Sequence, residues 1–100
     1  MTEELETDHE EWARKEIEKA GGYMQKITFP GRRGAPDDLI FWPRGIKDLA
    51  EFKKRDTGVV SYNQEEIHRK MREFGTEVWL LYTREETLRY IRVRTAWRHA

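Results

Sequence analysis

The chain has 100 residues, enough for one domain, and its nineteen basic and nineteen acidic side chains cancel. Charged residues make up 38% of it, against about 25% in an average globular chain, so the core is small and self-association would bury more. The absence of cysteine excludes a disulfide framework, cysteine-ligated zinc and a thiol nucleophile, and the longest strictly apolar run, Val78–Tyr82, is too short for a membrane span or a signal-peptide core.

These bounds predict a soluble, cytoplasmic protein without a membrane partner. The neutral sum hides a split. Residues 1–20 carry a net charge of −5 and residues 21–100 a net +5, with five Arg against two Glu in residues 84–100.

Residues 4–20 read as a helix, with Leu5, Trp12, Ile17 and Ala20 able to share a stripe and Gly21-Gly22 as the stop. Thr7 and Glu10 have capping-box spacing, which would start the helix near residue 8. Tyr23–Phe29 reads as a strand and Pro30–Pro36 as a Gly- and Pro-rich loop. Leu39–Trp42 and Ile46–Lys53 read as strands of a hairpin joined by the Pro43-Arg44-Gly45 turn.

After a polar loop over 54–59, Ser61 and Gln64 give a second capping box, opening a helix to about Phe74 with Ile67, Met71 and Phe74 at helical spacing. Thr76–Tyr82 is the most apolar strand. Thr83 and Glu86 give a third capping box and a short helix, followed by an Arg-rich tail containing Trp97. The order α-β-β-β-α-β-α predicts an α/β fold with a central mixed sheet flanked by helices.

One constellation carries chemistry. A strand alternates its faces, so Glu51 and Lys53 project together with Leu49, while Ala50 and Phe52 point the other way. In a hairpin, Asp37 at the start of one strand lies near Glu51–Lys53 at the end of its partner. Two carboxylates at one point repel, and a divalent cation relieves that repulsion. Magnesium suits such a place, since it takes oxygen ligands and needs only one or two carboxylates. Lys53 could orient a water or neutralise charge on a phosphate.

Pro36-Asp37, thirteen residues, then Glu51-Phe52-Lys53 resembles the PD-(D/E)xK nuclease superfamily. The wider series of Gly21-Gly22, Lys26, Gly31–Asp37, Glu51-Phe52-Lys53, Ser61, Gln64 and Gly75 resembles its VRR-NUC branch over residues 6–88. Stand-alone versions of that domain occur typically in bacteriophages, and archaeal Holliday-junction resolvases are related. The resemblance implies a restriction-endonuclease-like α-β-β-β-α-β core and one nuclease domain, with residues 89–100 as an Arg-rich tail. It also implies a Mg²⁺- or Mn²⁺-dependent deoxyribonuclease working in the cytoplasm, that of the host if phage-encoded, with no nucleotide cofactor.

By the same resemblance Asp37 and Glu51 would ligate the metal with the main-chain carbonyl of Phe52, Lys53 would be the catalytic lysine, and Gln64 would position the water or Lys53. A first-helix Glu would join them: Glu10 is favoured, with Glu6 and Glu11 as competitors. Lys26, Arg32 and Arg33 would meet DNA.

Glu10 and Gln64 have rival jobs as capping partners of Thr7 and Ser61, and one side chain cannot fill both roles. Asp38 falls outside the motif and reads as a turn residue or a support for its neighbour. His9, His68 and His99 show no metal-ligand spacing and read as surface residues. Trp97 could stack on a base or cover a second subunit.

No sequence-reading module is present. The substrate expected is therefore branched DNA, such as a Holliday junction or flap, cut by a homodimer whose two-fold axis matches a four-way junction. The alternatives are a non-catalytic DNA-binding module and a sequence-specific restriction or homing nuclease.

Overall fold

The computed structural model describes residues 6–53 and 62–99. Helix α1 (Glu6–Lys19) leads through Gly21-Gly22 into β1 (Tyr23–Lys26). A hairpin of β2 (Asp38–Trp42) and β3 (Ile46–Phe52) turns at Pro43–Gly45. Helix α2 (Tyr62–Glu73) crosses over to β4 (Val78–Leu81), and α3 (Arg84–Thr95) closes the order, followed by a 3-10 turn over Ala96–His99. The four strands form one sheet in the order β1-β2-β3-β4, antiparallel except for the β3–β4 pair. That mixed α/β sheet with flanking helices is the architecture expected above. No helix among the described residues is long and apolar enough to cross a membrane.

The alternation in β3 sorts the two faces. Ala50 and Phe52 join Ile40 and Trp42 of β2, Ala13 and Ile17 of α1, and Tyr90 and Ile91 of α3 in the main core. Leu49, Glu51 and Lys53 project from the opposite face, the side on which the α2 crossover lies. Gly22 is held small by this core: a Cβ there would stand 2.8 Å from Ile17 Cγ2 and 2.9 Å from Trp42.

Several expectations need correction. Helix α1 already includes Glu6 and Thr7, so it begins before residue 8, and the side chain of Thr7 lies outside the described residues. The residues 89–100 taken for a tail are mostly ordered helix. Tyr90, Ile91 and Thr95 are buried, and Arg94 pairs with Asp48 at 2.8 Å. Arg44, at φ 70, lies over the Trp97 ring at 4.9 Å, so that ring already has a cation on it. His9 and His68 are buried rather than on the surface, at 2% and 1% exposure. His9 shares α1's buried stripe with Ala13 and Ile17, and its Nε2 bonds Thr87 Oγ1 at 2.9 Å, joining α1 to α3.

The capping box of α3 is present in full. Thr83 Oγ1 accepts from Glu86 N at 3.1 Å, and Glu86 Oε1 accepts from Thr83 N at 3.0 Å. The Ser61 box and the 54–59 loop lie outside the described residues, as do Leu5 and the side chains of Glu6 and His99.

Candidate active site at the open end of the hairpin

Register fixes where the motif residues meet. Asp38 pairs with Ala50 across the hairpin, which sets Asp37 opposite Glu51 just beyond the last β2 residue. Asp37 is further held by its carbonyl, which accepts from Ile27 N at 2.8 Å. By alternation, Asp37 and Glu51 share one face with Lys53. Asp37 is exposed, whereas Glu51 and Lys53 are 6% and 8% exposed.

Lys53 sits one residue past β3. Its backbone N–H donates to Leu81 O at 2.9 Å, and its Nζ donates to Gln64 Oε1 at 2.9 Å. A buried ammonium is costly unless hydrogen-bonded, so Gln64 both tolerates and aims it. Gln64 is in the first turn of α2.

The Pro30–Pro36 loop packs onto that same turn. Gly34 has φ +87, and a Cβ there would stand 2.8 Å from Gln64 N and 2.9 Å from the Asn63 carbonyl carbon. Only glycine meets both demands. The contact carries Arg32 and Arg33, both exposed, to the rim of the site.

Glu10 and Lys26 gather on the other face. Lys26 Nζ donates to both oxygens of Glu10, at 3.1 and 2.9 Å. Asp38, 1% exposed, completes the group, and its buried Oδ2 meets no hydrogen-bond donor. Burial pushes the Asp38 carboxyl up to about 9, helped by its hydrogen bond to Glu10 and that carboxylate's charge. Burial also pushes Glu10 upward, but the hydrogen bond from Asp38 and the Lys26 ammonium outweigh it and hold Glu10 below the usual range. Burial lowers Lys26, while its bond to Glu10 raises it more. The Asp38 O–H therefore donates to an ionised Glu10.

Sequence reasoning missed this role for Asp38. The available signal was its β2 position, which puts it on the core face.

This pair sets a pH dependence. The folded chain keeps a proton on Asp38 that the unfolded chain releases near the ordinary carboxylate pKa of about 4. Stability is therefore lost as pH rises from about 4 to about 9. Asp38→Asn keeps a donor for Glu10 and has no proton to lose. Its thermal midpoint is expected to gain on the wild type progressively across that window, and a constant gap would contradict the shared proton.

Among the described residues no three His, Asp or Glu side chains come together closely enough to hold a metal ion. Glu10 is thus not gathered with Asp37 and Glu51, although the Asp37 charge is still felt by Lys26 and Asp38. The donors at the hairpin end are Asp37, the buried Glu51 and the Phe52 carbonyl, all hard oxygens. Two carboxylates with a carbonyl and water fit magnesium better than zinc.

No family model matches the chain. It is 35% identical over 66 residues to "Putative nuclease p44" of Acyrthosiphon pisum secondary endosymbiont phage 1, covering 66% of this chain and 70% of that protein. A solved structure described as a VRR_NUC domain superposes with a TM-score of 0.79 at 29% identity, covering 86% of this chain and 92% of that one. The phage relative and the solved VRR_NUC domain point the same way, and the chain belongs to the VRR-NUC family of nucleases.

Proposed function

We propose that the chain is a metal-dependent endonuclease that hydrolyses DNA phosphodiester bonds, prefers branched DNA, and acts as a homodimer. The observation that carries the reading is the placing of Asp37, Glu51 and Lys53 on one face at the open end of the hairpin, with Lys53 tied to Gln64 at 2.9 Å. Asp37, Glu51 and the Phe52 carbonyl would hold the ion. A bound Mg²⁺ or Mn²⁺ would supply positive charge against the phosphate and make water more acidic.

The chain's own groups do the rest. Lys53 offers its remaining N–H donors to the non-bridging phosphate oxygens and the attacking water, and it is pre-aimed by Gln64, so little reorganisation is needed. Arg32 and Arg33 have no ion pair among the described residues and are exposed, which suits phosphate contacts. Glu10 and Lys26 support the site by holding Asp38, the neighbour of Asp37, in place. The homodimer reading rests on the small core and on the two-fold symmetry of a four-way junction.

The test is metal dependence of cleavage on a labelled four-way junction and a linear duplex. Cutting is expected with Mg²⁺ or Mn²⁺, faster on the junction, and none with EDTA. Equal cutting in EDTA would overturn the metal dependence. Salt-sensitive binding without cutting under any metal would make the chain a non-catalytic DNA-binding module instead.

A further inference from the structure

Helix α2 leaves its apolar stripe only partly covered. His68 is its one fully buried side chain among the described residues, whereas Ile67 and Met71 are half-buried and Phe74, just past the helix, is 82% exposed. With Phe29, which leads into the basic loop, these side chains floor a groove of about 330 Å³. Arg32 and Lys70 form its rim, and no carboxylate among the described residues lines it. Neither cation has an ion pair among the described residues.

The groove begins beside the candidate site. Ile67 is one helical turn beyond Gln64, which receives Lys53 Nζ, and the loop bearing Arg32 is seated on that turn through Gly34. From Gln64 to Phe74 is about 15 Å of helix, the length of about four stacked nucleotides at ~3.4 Å each.

Apolar and aromatic carbon under unpaired cations suits a ligand with flat faces and a negatively charged backbone. Unpaired nucleotides have both, and they bind by stacking over a basic track. A second copy seated here about a two-fold axis would bring one groove's cationic rim against the other's, a like-charge contact.

We propose that this groove captures the single-stranded tail of branched DNA and so holds the junction of paired and unpaired strands at the hairpin end. The inference rests on the DNA-nuclease reading above and names what selects the substrate.

The probes are a blunt duplex and the same duplex with a short thymidine tail, of either polarity, with binding followed by fluorescence anisotropy in EDTA. The wild type is expected to bind one tailed probe more tightly. Phe74→Ala, at an exposed position, is expected to weaken that binding about five- to tenfold, the loss of one stacked base, leaving the blunt duplex unchanged. Phe74→Trp should restore it.

Equal affinity for all probes, an equal loss on both, or a halved mass in light scattering for Phe74→Ala would overturn the inference. The two readings fail separately. Tail preference without cutting in Mg²⁺ or Mn²⁺ keeps the groove and sinks the nuclease. Cutting without tail preference does the reverse.

Discussion

Lys53→Met is expected to lower the rate of DNA cleavage about 10²–10³-fold, the usual cost of removing one aimed electrostatic donor, while the fold survives. The methionine keeps the buried stem, and the backbone bond from residue 53 to Leu81 O at 2.9 Å does not involve the side chain. What is lost is the ammonium that Gln64 holds. Far-UV circular dichroism and the thermal midpoint should stay near wild type, and duplex binding should fall little, because Arg32 and Arg33 remain.

Glu51→Gln should be as damaging by a different route, through lost metal affinity, so raising Mn²⁺ should recover part of its rate and none of the rate of Lys53→Met. Wild-type turnover in Lys53→Met would remove this lysine from the chemistry.

The largest expected loss of stability lies on the opposite face. Asp48, 1% exposed, accepts from Tyr90 Oη at 2.6 Å and from Arg94 Nε and Nη2 at 2.8 Å each. Tyr90 Oη in turn accepts from Trp42 Nε1 at 2.8 Å. Burial and the Asp48 carboxylate push the Tyr90 hydroxyl well above its ordinary pKa, so it stays a donor. The Asp48 bond keeps Arg94 charged, and Arg94 also lies 5.4 Å from the Trp79 ring centroid.

Asp48→Ala leaves the buried Tyr90 hydroxyl without its acceptor and the Arg94 guanidinium, 21% exposed, without its carboxylate; breaking a buried pair from one side costs about 3–5 kcal/mol, and the solvent access of Arg94 puts this pair at the lower end. Against a total of about 5–15 kcal/mol for a domain of this kind, urea denaturation should show a marginal or unfolded protein. Tyr90→Phe removes both a donor to the carboxylate and the acceptor of Trp42 Nε1, and should cost about 1.5–3 kcal/mol. A shift under about 1 kcal/mol for Asp48→Ala would mean that the network contributes little net stability.

This contrast shows how far the sequence alone could be read. β3 declared itself through alternation, α3 through the Thr83–Glu86 box, and the hairpin end through Pro36-Asp37 and Glu51-Phe52-Lys53. Each is a signal carried within a few residues, or between two strands joined by a tight turn.

The Asp48–Tyr90–Trp42–Arg94 network spans more than forty residues of chain, and no local pattern marks it. Asp38 read as a turn residue or a support for its neighbour, and the proton it shares with Glu10 went unseen because that partner sits on α1. His68 lies four residues after Gln64, on the same side of α2, but nothing in its neighbours marks it as buried. The apolar spacing of Ile67, Met71 and Phe74 correctly gave a helix. It did not give the side that meets the sheet, because α2 turns that stripe to a basic groove.

The His9–Thr87 bond, 78 positions apart in sequence, bears on how the protein comes into being. A ribosome delivers α1 first and α3 last. Until residues 84–95 emerge, the stripe of His9, Ala13 and Ile17 and the faces of Trp42 and Phe52 lack the helix that packs beside them. The motif residues hang from strands whose other side is that unfinished core. The hairpin end is therefore expected to reach native order only once the last helix has packed, well after Asp37, Glu51 and Lys53 have been synthesised.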